Sequence, residues 1–386
     1  MINQVNDQST TRVGAIHFSK LLFIGVLITT LLFFLVLPLR STSIRHGLVL
    51  VGSLLSYTIA IHRILTTRIS VRYFALIAWL LIQLMLAVFI LSKLFDFNLI
   101  YSTLNFVALL IIISTDSPGE LLDYTTQKTV LRFAQAATII LFIVSRSSIA
   151  YLSETGYNNG LLVLGMTNSN LTGMLLFGIF CIIIIYSDDV KYKVITGGFL
   201  IALLYLIYLS GSRSALVSAL VVFIYAVFFS QKKIPKFFIY ISAIFPVIVI
   251  PIYLSLFRMW GIGARFLGKP LFSGRQDALL QLLSNNRSIG EILFGNVVES
   301  NFTNTNAPNA PLAIFLFSGL IGAIVFYYLV IRKVIHRNES SDTKMSRIAI
   351  ICVLSFFIQS SAETFLFTGI FPGITFMYLV SVLMDS

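Results

Sequence analysis

A single arginine in a short polar turn is the first candidate for chemistry in this 386-residue chain. Arg213 is the only charge in the segment LSGSRSA, residues 209–215, which separates two apolar stretches. A charge so close to hydrocarbon is costly and therefore a functional candidate, and a guanidinium can contact two phosphate oxygens at once. The Ser212 hydroxyl and the Gly211 backbone could approach the same ligand. The alternative is an arginine that ends two helices and extends towards water.

Two further segments combine a charged residue with small polar neighbours. Arg275 follows a Ser-Gly pair and precedes Asp277, so it offers a second contact to phosphate or sugar. Glu363 lies in QSSAET, residues 359–364, near the end of an apolar stretch. The carboxylates of Asp277 and Glu363 are both candidate general bases. The alternatives are an ordinary exposed turn for Arg275 and a structural ion pair for Glu363.

Asparagines form a third group of candidates. Asn168 and Asn170 lie in the segment GMTNSN before an apolar stretch and could line a polar vestibule. Turn formation, for which Asn is favoured, explains them equally well. The Asn-rich region 285–309 could bind sugar hydroxyls. A genome biased towards Ile, Lys, Asn and Phe codons is the simpler explanation, since loops favour Asn anyway.

The composition indicates that these residues belong to a membrane protein. Hydrophobic residues make up 58% of the chain and charged residues 11%, and the mean hydropathy is +0.94. Soluble domains carry about 25% charged residues. A membrane-spanning helix needs about 20 apolar residues, and about 11 or 12 stretches approach this length. We therefore expect an all-α, polytopic membrane protein whose polar turns join its helices.

The predicted spans differ in length. They lie near residues 19–38, 46–65, 73–95, 97–114, 130–152, 171–186, 193–209, 214–229, 236–257, 311–331, 348–366 and 370–384. Three of them, 171–186, 214–229 and 370–384, are shorter than the usual minimum. One or two spans are therefore candidates for re-entrant or shallow helices.

The basic residues predict which side of the membrane each loop occupies. Cytoplasmic loops are enriched in Lys and Arg. With an even number of spans and a cytoplasmic N-terminus, most of the 27 basic residues fall in cytoplasmic loops, and both termini are cytoplasmic. The net charge of +12 then reflects topology and does not indicate nucleic-acid binding.

One long polar loop over residues 258–310 departs from this distribution within the single membrane domain 1–386. It falls on the outer side of the membrane. Its basic residues are Arg258, Arg265, Lys269, Arg275 and Arg287. Because outer loops normally carry fewer basic residues, this loop suggests an anionic ligand at the outer face. Ser273 could cap a short helix over 273–283 that lies on the membrane surface.

Cysteine and histidine usage excludes several kinds of site. Cys181 and Cys352 both lie in apolar stretches, so we expect packed thiols and neither a disulfide framework nor a metal cluster. The chain has 4 His, none of them in the long outer loop. The P-loop, dinucleotide-binding and HExxH motifs are missing. We expect no cofactor and no metal.

The order of these motifs resembles that of the O-antigen ligase and polymerase superfamily. The resemblance covers approximately residues 160–335. Its elements are the segment NSN at 168–170, the Ser-Arg turn at 212–213, SGR opening the long loop at 273–275, and SGLIG at 318–322. The resemblance implies a GT-C-like helical plan. It also implies a bacterial inner-membrane glycosyltransferase that uses sugars on undecaprenyl pyrophosphate without a metal.

The resemblance also assigns roles to individual residues. It implies that Arg213 and Arg275 bind the pyrophosphate or the acceptor glycan. Glu363 or Asp277 completes the catalytic candidates as the base. The candidates for substrate binding are Asn168, Asn170, Ser212, Arg258, Arg265 and Asn309.

One departure from the family pattern separates two activities within the superfamily. Ligases carry a His-Asn pair shortly before the Gly-Leu-Ile-Gly segment, where this chain has Pro308 and Asn309. The ligase histidine is absent, which favours the polymerase. The implied reaction joins lipid-linked oligosaccharide repeats at the outer membrane face. An acceptor hydroxyl attacks the anomeric carbon and undecaprenyl pyrophosphate leaves, while arginines stabilise the departing charge.

The implied partners are the lipid-linked donor and acceptor glycans and the bilayer. A chain-length regulator is a candidate protein partner. The glycan product is an O-antigen, a capsule or an exopolysaccharide. The alternative functions are an O-antigen ligase and a transporter or flippase for anionic glycolipids. A flippase needs polar groups along its path, whereas mid-span residues here are nearly all apolar. A structural scaffold would leave the arginine-rich loop unexplained.

Overall fold

The computed structural model describes a bundle of helices. The described residues are 24–25, 28–29, 32, 42–66, 71–89, 104–111, 124–145, 149–150, 161–164, 169–187, 193–260, 265–266, 269–270, 287–295, 310–340 and 343–361. The helices are α1 (Thr42–Thr66), α2 (Val71–Phe89), α3 (Tyr124–Ser145), α4 (Ser169–Ile185), α5 (Lys193–Leu209), α6 (Arg213–Ile224), α7 (Lys236–Trp260), α8 (Ile289–Phe294), α9 (Ala310–Ser340) and α10 (Lys344–Ser360). A further helical segment covers 104–111, and a π-helical turn, Tyr225–Phe229, continues α6.

Two short strand pairs accompany the helices. β1 (Ile149–Ala150) pairs antiparallel with β2 (Leu161–Leu162), and β3 (Arg265–Phe266) pairs antiparallel with β4 (Lys269–Pro270). The predicted span 130–152 extends too far, since α3 ends at Ser145 and β1 lies within the predicted range. The second pair lies in the long polar loop.

The chain is a helical, membrane-associated protein. Within the described ranges, three helices are long and apolar enough to cross a bilayer, namely Gln127–Ser145, Lys236–Trp260 and Ser318–Ser340. Shorter apolar helices cover Leu50–Leu65, Phe74–Gln83, Ser169–Ile185, Lys193–Leu209 and Arg213–Phe229. The predicted all-α class is confirmed for the described residues, apart from the two strand pairs. The predicted span 370–384 lies outside them.

Helices α4 and α10 form the centre of the bundle. Fifteen of the 17 residues of α4 are buried, as are fourteen of the 17 residues of α10. A helix that is apolar all round is expected in such a position. Phe177 on α4 packs against Phe356 on α10, with ring centroids 4.9 Å apart. In contrast, most of α7 is exposed, as expected for a helix that faces lipid.

The two cysteines lie at the contact between these central helices. Cys181 on α4 and Cys352 on α10 are both buried free thiols. The prediction of packed thiols is confirmed.

One end of the bundle is joined by hydrogen bonds between the α6–α7 connection and the α9–α10 region. Arg347 Nη1 donates to Ser230 O at 3.3 Å and to Gln231 O at 2.7 Å. The side chain of Asn338, near the end of α9, bonds both backbone groups of Ile234. We call this end of the bundle the Arg347 end.

A break in α9 accommodates a short helix of the long loop. Gly319 has φ 66° and ψ −174°, a conformation that only glycine adopts readily. A Cβ at Gly319 would collide with Leu293 O at the end of α8. Phe294 of α8 also contacts α2, through ring packing on Trp79 at 5.5 Å and a 3.0 Å hydrogen bond from Gln83 Nε2 to Phe294 O. The long loop is thereby attached to two helices of the bundle.

Candidate anion-binding site

The turn between α5 and α6 positions Arg213. Gly211 has φ 62°, and its N–H donates to Tyr208 O at 2.9 Å, which ends α5. Ser212 is extended, with φ −80° and ψ 96°, and occupies the N-cap of α6. Arg213 is therefore the first residue of a 12-residue helix. The N-terminus of a helix carries partial positive charge, which disfavours a cation there and favours a bound anion.

A glycine on the central helix holds this turn in place. A Cβ at Gly173 of α4 would collide with Ser212 Cβ and approach Ser210 Oγ to 2.7 Å. Ser210 Oγ donates to Ile207 O at 2.7 Å and accepts from Ser212 N–H at 3.3 Å. The turn is thus closely packed on α4 and internally bonded. The backbone that carries Arg213 is fixed by both features.

Two hydrogen bonds show that α6 and α10 run antiparallel. Ser218 Oγ donates to Ser355 O at 2.9 Å near the middle of both helices. At the Arg347 end, Arg347 at the start of α10 reaches Ser230, which follows the π-helical turn after α6. Residues of α10 beyond Ser355 therefore approach the end of the bundle that holds Arg213, which we call the Arg213 end.

Gln359 lies at the Arg213 end, at the same height along the bundle axis as the turn that carries Ser210 and Ser212. It is one helical turn beyond Phe356, because residues three apart share a helix face. Phe356 packs on Phe177 of α4, and Phe177 is one turn from Gly173 in the same direction. Gly173 in turn contacts Ser212. Gln359 and Ser212 therefore occupy the same level, on two helices that both pack on α4.

Several polar atoms at this level are buried without being satisfied. Gln359 is 0% exposed, and Ser212 is 1% exposed. Within the described part of the chain, Gln359 Oε1, Gln359 Nε2 and Ser212 Oγ make no hydrogen bond. Leaving a buried polar group unbonded costs about 1–3 kcal/mol. Such groups call for an explanation, such as a bound ligand, ion or water.

Asn170 and Arg213 complete this group. Asn170 is half-buried at the start of α4, one turn before Gly173 on the same face. Arg213 is also partly buried, and its Nη1 atom is shielded from solvent. We call Asn170, Ser212, Arg213 and Gln359 the Arg213 cluster. It unites one cation with neutral donors and acceptors at one end of three packed helices.

Further arginines lie at the same end of the bundle. Arg258 is exposed in the last turn of α7, about 33 Å along the helix from Lys236 at the Arg347 end. Arg287 is half-buried just before α8. Since α8 contacts Gly319, far along α9 from the Arg347 end, Arg287 also belongs to the Arg213 end. Arg265 lies on β3, where its backbone pairs with that of Pro270.

The remaining predicted site residues fall outside the described residues. These are Arg275, Asp277 and Glu363 among the catalytic candidates, and Asn168 and Asn309 among the candidates for substrate binding. The predicted surface helix over 273–283 falls outside them as well. Of the predicted set, Asn170, Ser212, Arg213 and Arg258 lie at the same end of the bundle.

Sequence reasoning overlooked two features of this site. Gln359 interrupts the apolar run FFIQSS, and a polar residue inside an apolar span is a recognisable signal. Helix α8 lies in the long polar loop, where a short helix is predicted only over 273–283. Its capping box could have predicted it: Ser288 Oγ accepts from Glu291 N–H at 3.2 Å, and Glu291 Oε2 accepts from Ser288 N–H at 2.9 Å.

Comparison of the chain with protein-family models, with curated proteins and with solved structures finds no match. The chemistry of the site must therefore be argued from its own residues. A guanidinium and a helix N-terminus suit an anion such as phosphate. Among the described residues, no group of three His, Cys, Asp or Glu could hold a metal ion.

Proposed function

We propose that this protein is a polysaccharide polymerase of the O-antigen ligase and polymerase superfamily. It would join undecaprenyl-pyrophosphate-linked oligosaccharide repeats at the outer face of the bacterial inner membrane. The observation that carries this proposal is the Arg213 cluster, in which a cation on a closely packed turn lies at the same end of the bundle as buried, unbonded neutral polar groups. The proposal includes a GT-C-like plan with 11 or 12 spans, roughly the number that the apolar stretches suggest. Both termini are cytoplasmic in it, and the Arg213 end faces outward.

In this proposal, Arg213 stabilises the leaving group. An acceptor hydroxyl forms a bond to the anomeric carbon, the bond from that carbon to the pyrophosphate oxygen breaks, and the hydroxyl proton passes to a base. Negative charge then increases on the pyrophosphate, where a fixed guanidinium and the N-terminus of α6 are favourable. Because the turn is packed on Gly173, little reorganisation is needed. Glu363 and Asp277 remain the candidate bases.

The other arginines at the Arg213 end add positive charge to that end of the bundle. Arg258 and Arg287 lie on the elements that begin and anchor the long loop. A lipid pyrophosphate approaching along the membrane surface would meet this charge before it reaches Arg213. Such attraction raises the local concentration of an anionic substrate and weakens as salt increases.

The alternative of a transporter or flippase meets an obstacle in the central helix. Residues 174–185 of α4 are apolar and buried, and they occupy the length of the helix beyond Gly173. A path for an anionic headgroup requires polar groups across the bilayer. The polar groups of the Arg213 cluster are instead confined to one end. This distribution favours chemistry at the membrane surface.

A gel profile of surface glycan tests the proposal. The gene is deleted in the source bacterium and replaced by wild type, Arg213→Ala, Arg213→Lys or Arg332→Ala, each with an epitope tag to measure abundance. Arg332 is an exposed arginine on α9 and serves as the matched control. We expect the ladder of polymer lengths to collapse to single repeats in the deletion and in Arg213→Ala.

Arg213→Lys separates charge from geometry, because lysine retains the charge but loses the bidentate contact. We expect short chains in this variant and a wild-type ladder in Arg332→Ala. Wild-type chain lengths in Arg213→Ala at normal abundance would overturn the assignment of Arg213. An intact ladder in the deletion strain would overturn the polymerase itself. Loss of single repeats from the outer face in the deletion would instead support a flippase.

A further inference from the structure

Three buried polar side chains, two on α10 and one at the N-cap of α6, make no hydrogen bond with the described residues. Beside Gln359 and Ser212, Ser355 is 0% exposed, and its Oγ makes no hydrogen bond with the described residues. Ser355 lies one turn below Gln359 on the same face of α10. Its carbonyl accepts from Ser218 of α6, so this face points towards α6. Gln359 and Ser355 therefore share the face of α10 that meets α6, whereas the Ser212 side chain packs on Gly173 of α4 at the start of α6. All three groups are neutral.

The side-chain amides of Asn338 and Gln83 behave differently from that of Gln359. The amide of Asn338 is bonded through both its oxygen and its nitrogen. Gln83 also uses its amide nitrogen, to bond Phe294 O. These two side chains stabilise helix contacts. Gln359 makes no such contact although it is completely buried, which is costly unless a ligand completes its hydrogen bonds.

The chemistry of these groups defines the ligand. An amide offers an acceptor oxygen and two donor hydrogens, and a serine hydroxyl is both donor and acceptor. A sugar hydroxyl has the same dual character, whereas phosphate oxygens only accept. Arg213 lies next to Ser212 and supplies the positive charge for an anion. The neutral groups are thus suited to the uncharged part of a ligand whose charged part meets Arg213.

We propose that Gln359 and Ser212 form a neutral subsite that hydrogen-bonds hydroxyl groups of the glycan. The subsite lies at the Arg213 end of the contact between α6 and α10. Gln359 acts as a binding residue that orients the sugar, and it takes no part in proton transfer. This inference rests on the proposed function, since it assigns the glycan portion of the same substrate. It adds a residue on α10 to a site otherwise built from α4 and α6.

Replacement of Gln359 by leucine tests the subsite. The full chain is purified in lipid nanodiscs, and polymerisation is measured with lipid-linked repeats extracted from the deletion strain. We expect Gln359→Leu to raise the KM for the repeats by about tenfold, the effect of losing one hydrogen bond. The thermal midpoint should be unchanged or higher, because the variant no longer buries an unbonded amide. An unchanged KM, or a lowered midpoint that accompanies the raised KM, would overturn the proposal.

Gln83→Leu provides a control at a partly exposed glutamine. It removes an amide whose hydrogen bond is made within the protein. We expect a lower thermal midpoint and an unchanged KM. A structural role for Gln359 would make the two variants behave alike, and that result would contradict the subsite.

A binding measurement separates this inference from the proposed function. Free oligosaccharide repeats without the lipid are titrated into wild type and Gln359→Leu, with inorganic pyrophosphate titrated in parallel. We expect weaker oligosaccharide binding in Gln359→Leu and unchanged pyrophosphate binding. If no polymer forms but oligosaccharide binding depends on Gln359, the subsite stands and the polymerase fails. If polymer forms and both variants bind oligosaccharide equally, the polymerase stands and the subsite fails.

Discussion

Asn338 satisfies both backbone groups of Ile234 with a single side-chain amide. Its Oδ1 accepts from Ile234 N–H at 3.1 Å, and its Nδ2 donates to Ile234 O at 2.8 Å. Both residues are buried, with 4% of Asn338 and 2% of Ile234 exposed. The connection between α6 and α7 is thereby fixed to the end of α9. Because α6 carries Arg213 at its opposite end, this contact helps to maintain the helix register on which the site depends.

Asn338→Leu should destabilise the protein. The variant leaves a buried N–H and a buried carbonyl of Ile234 without partners. We expect a loss of about 2 kcal/mol in the free energy of unfolding, as is usual when buried polar groups lose their partners. The measurement is thermal unfolding in detergent. A midpoint equal to that of wild type would contradict a stabilising role for this contact.

Glu339→Gln tests the neighbouring position, where we expect no measurable loss of stability. Glu339 forms an ion pair with Lys236, with the Oε1 and Nζ atoms 2.6 Å apart. Both side chains are more than half exposed. Water and salt screen such pairs, so they contribute little. A loss comparable to that of Asn338→Leu would show that this exposed ion pair contributes as much stability as the buried hydrogen bonds of Asn338.

The helices and the Arg213 turn could be predicted from the sequence because they depend on local patterns. Apolar runs predict α5, α6 and α7 within a few residues. The glycine and serines before Arg213 predict a break between two helices, since a left-handed Gly211 ends one helix and an extended Ser212 begins the next. These features need no knowledge of distant residues.

The rest of the site depends on contacts between distant parts of the chain. Nothing in the local pattern relates Gly173 to Ser212, although a Cβ on the former would collide with the latter. The position of Gln359 along the bundle axis can be derived only from the packing of Phe356 on Phe177. Apolar runs specify that helices are buried, but they do not specify which helices meet or in which register. The sequence could therefore identify Arg213 without identifying its neighbours.

Gly319→Ala should loosen the attachment of the long loop. The residue has φ 66°, and a Cβ there would meet Leu293 O of α8. Strained backbone costs about 1–3 kcal/mol, and displacement of α8 adds to it. We expect a lower thermal midpoint together with faster proteolysis near α8. The measurement is limited trypsin digestion, read by the position of the first cleavage.

Gly197→Ala is the control for Gly319→Ala. Gly197 lies in α5, and nothing lies within 4 Å of a Cβ placed there. Alanine is the better helix former, so this substitution should be neutral or slightly stabilising. Faster cleavage near α8 in this variant as well would show that the effect does not come from Gly319.

Gly173→Ala should disturb the Arg213 turn without touching Arg213. The added Cβ would collide with Ser212 Cβ, and backbone rather than a flexible side chain would have to move. Overpacking of this kind costs about 1–3 kcal/mol. We expect shorter polymer in the glycan ladder and a lower thermal midpoint, with normal membrane insertion. Full-length polymer in this variant would mean that the turn tolerates displacement and that Arg213 need not be held rigidly.

Ser212→Gly should restore much of the stability lost in Gly173→Ala. The second substitution removes the Cβ with which the new methyl group collides, although Ser210 Oγ remains close. Each single variant should be less stable than wild type, whereas the double variant should be more stable than Gly173→Ala alone. Residues in direct contact show such coupling, typically about 0.5–3 kcal/mol. Additive losses in thermal unfolding would contradict the close contact between α4 and the turn. The glycan ladder is expected to stay short in the double variant, because it lacks the Ser212 hydroxyl.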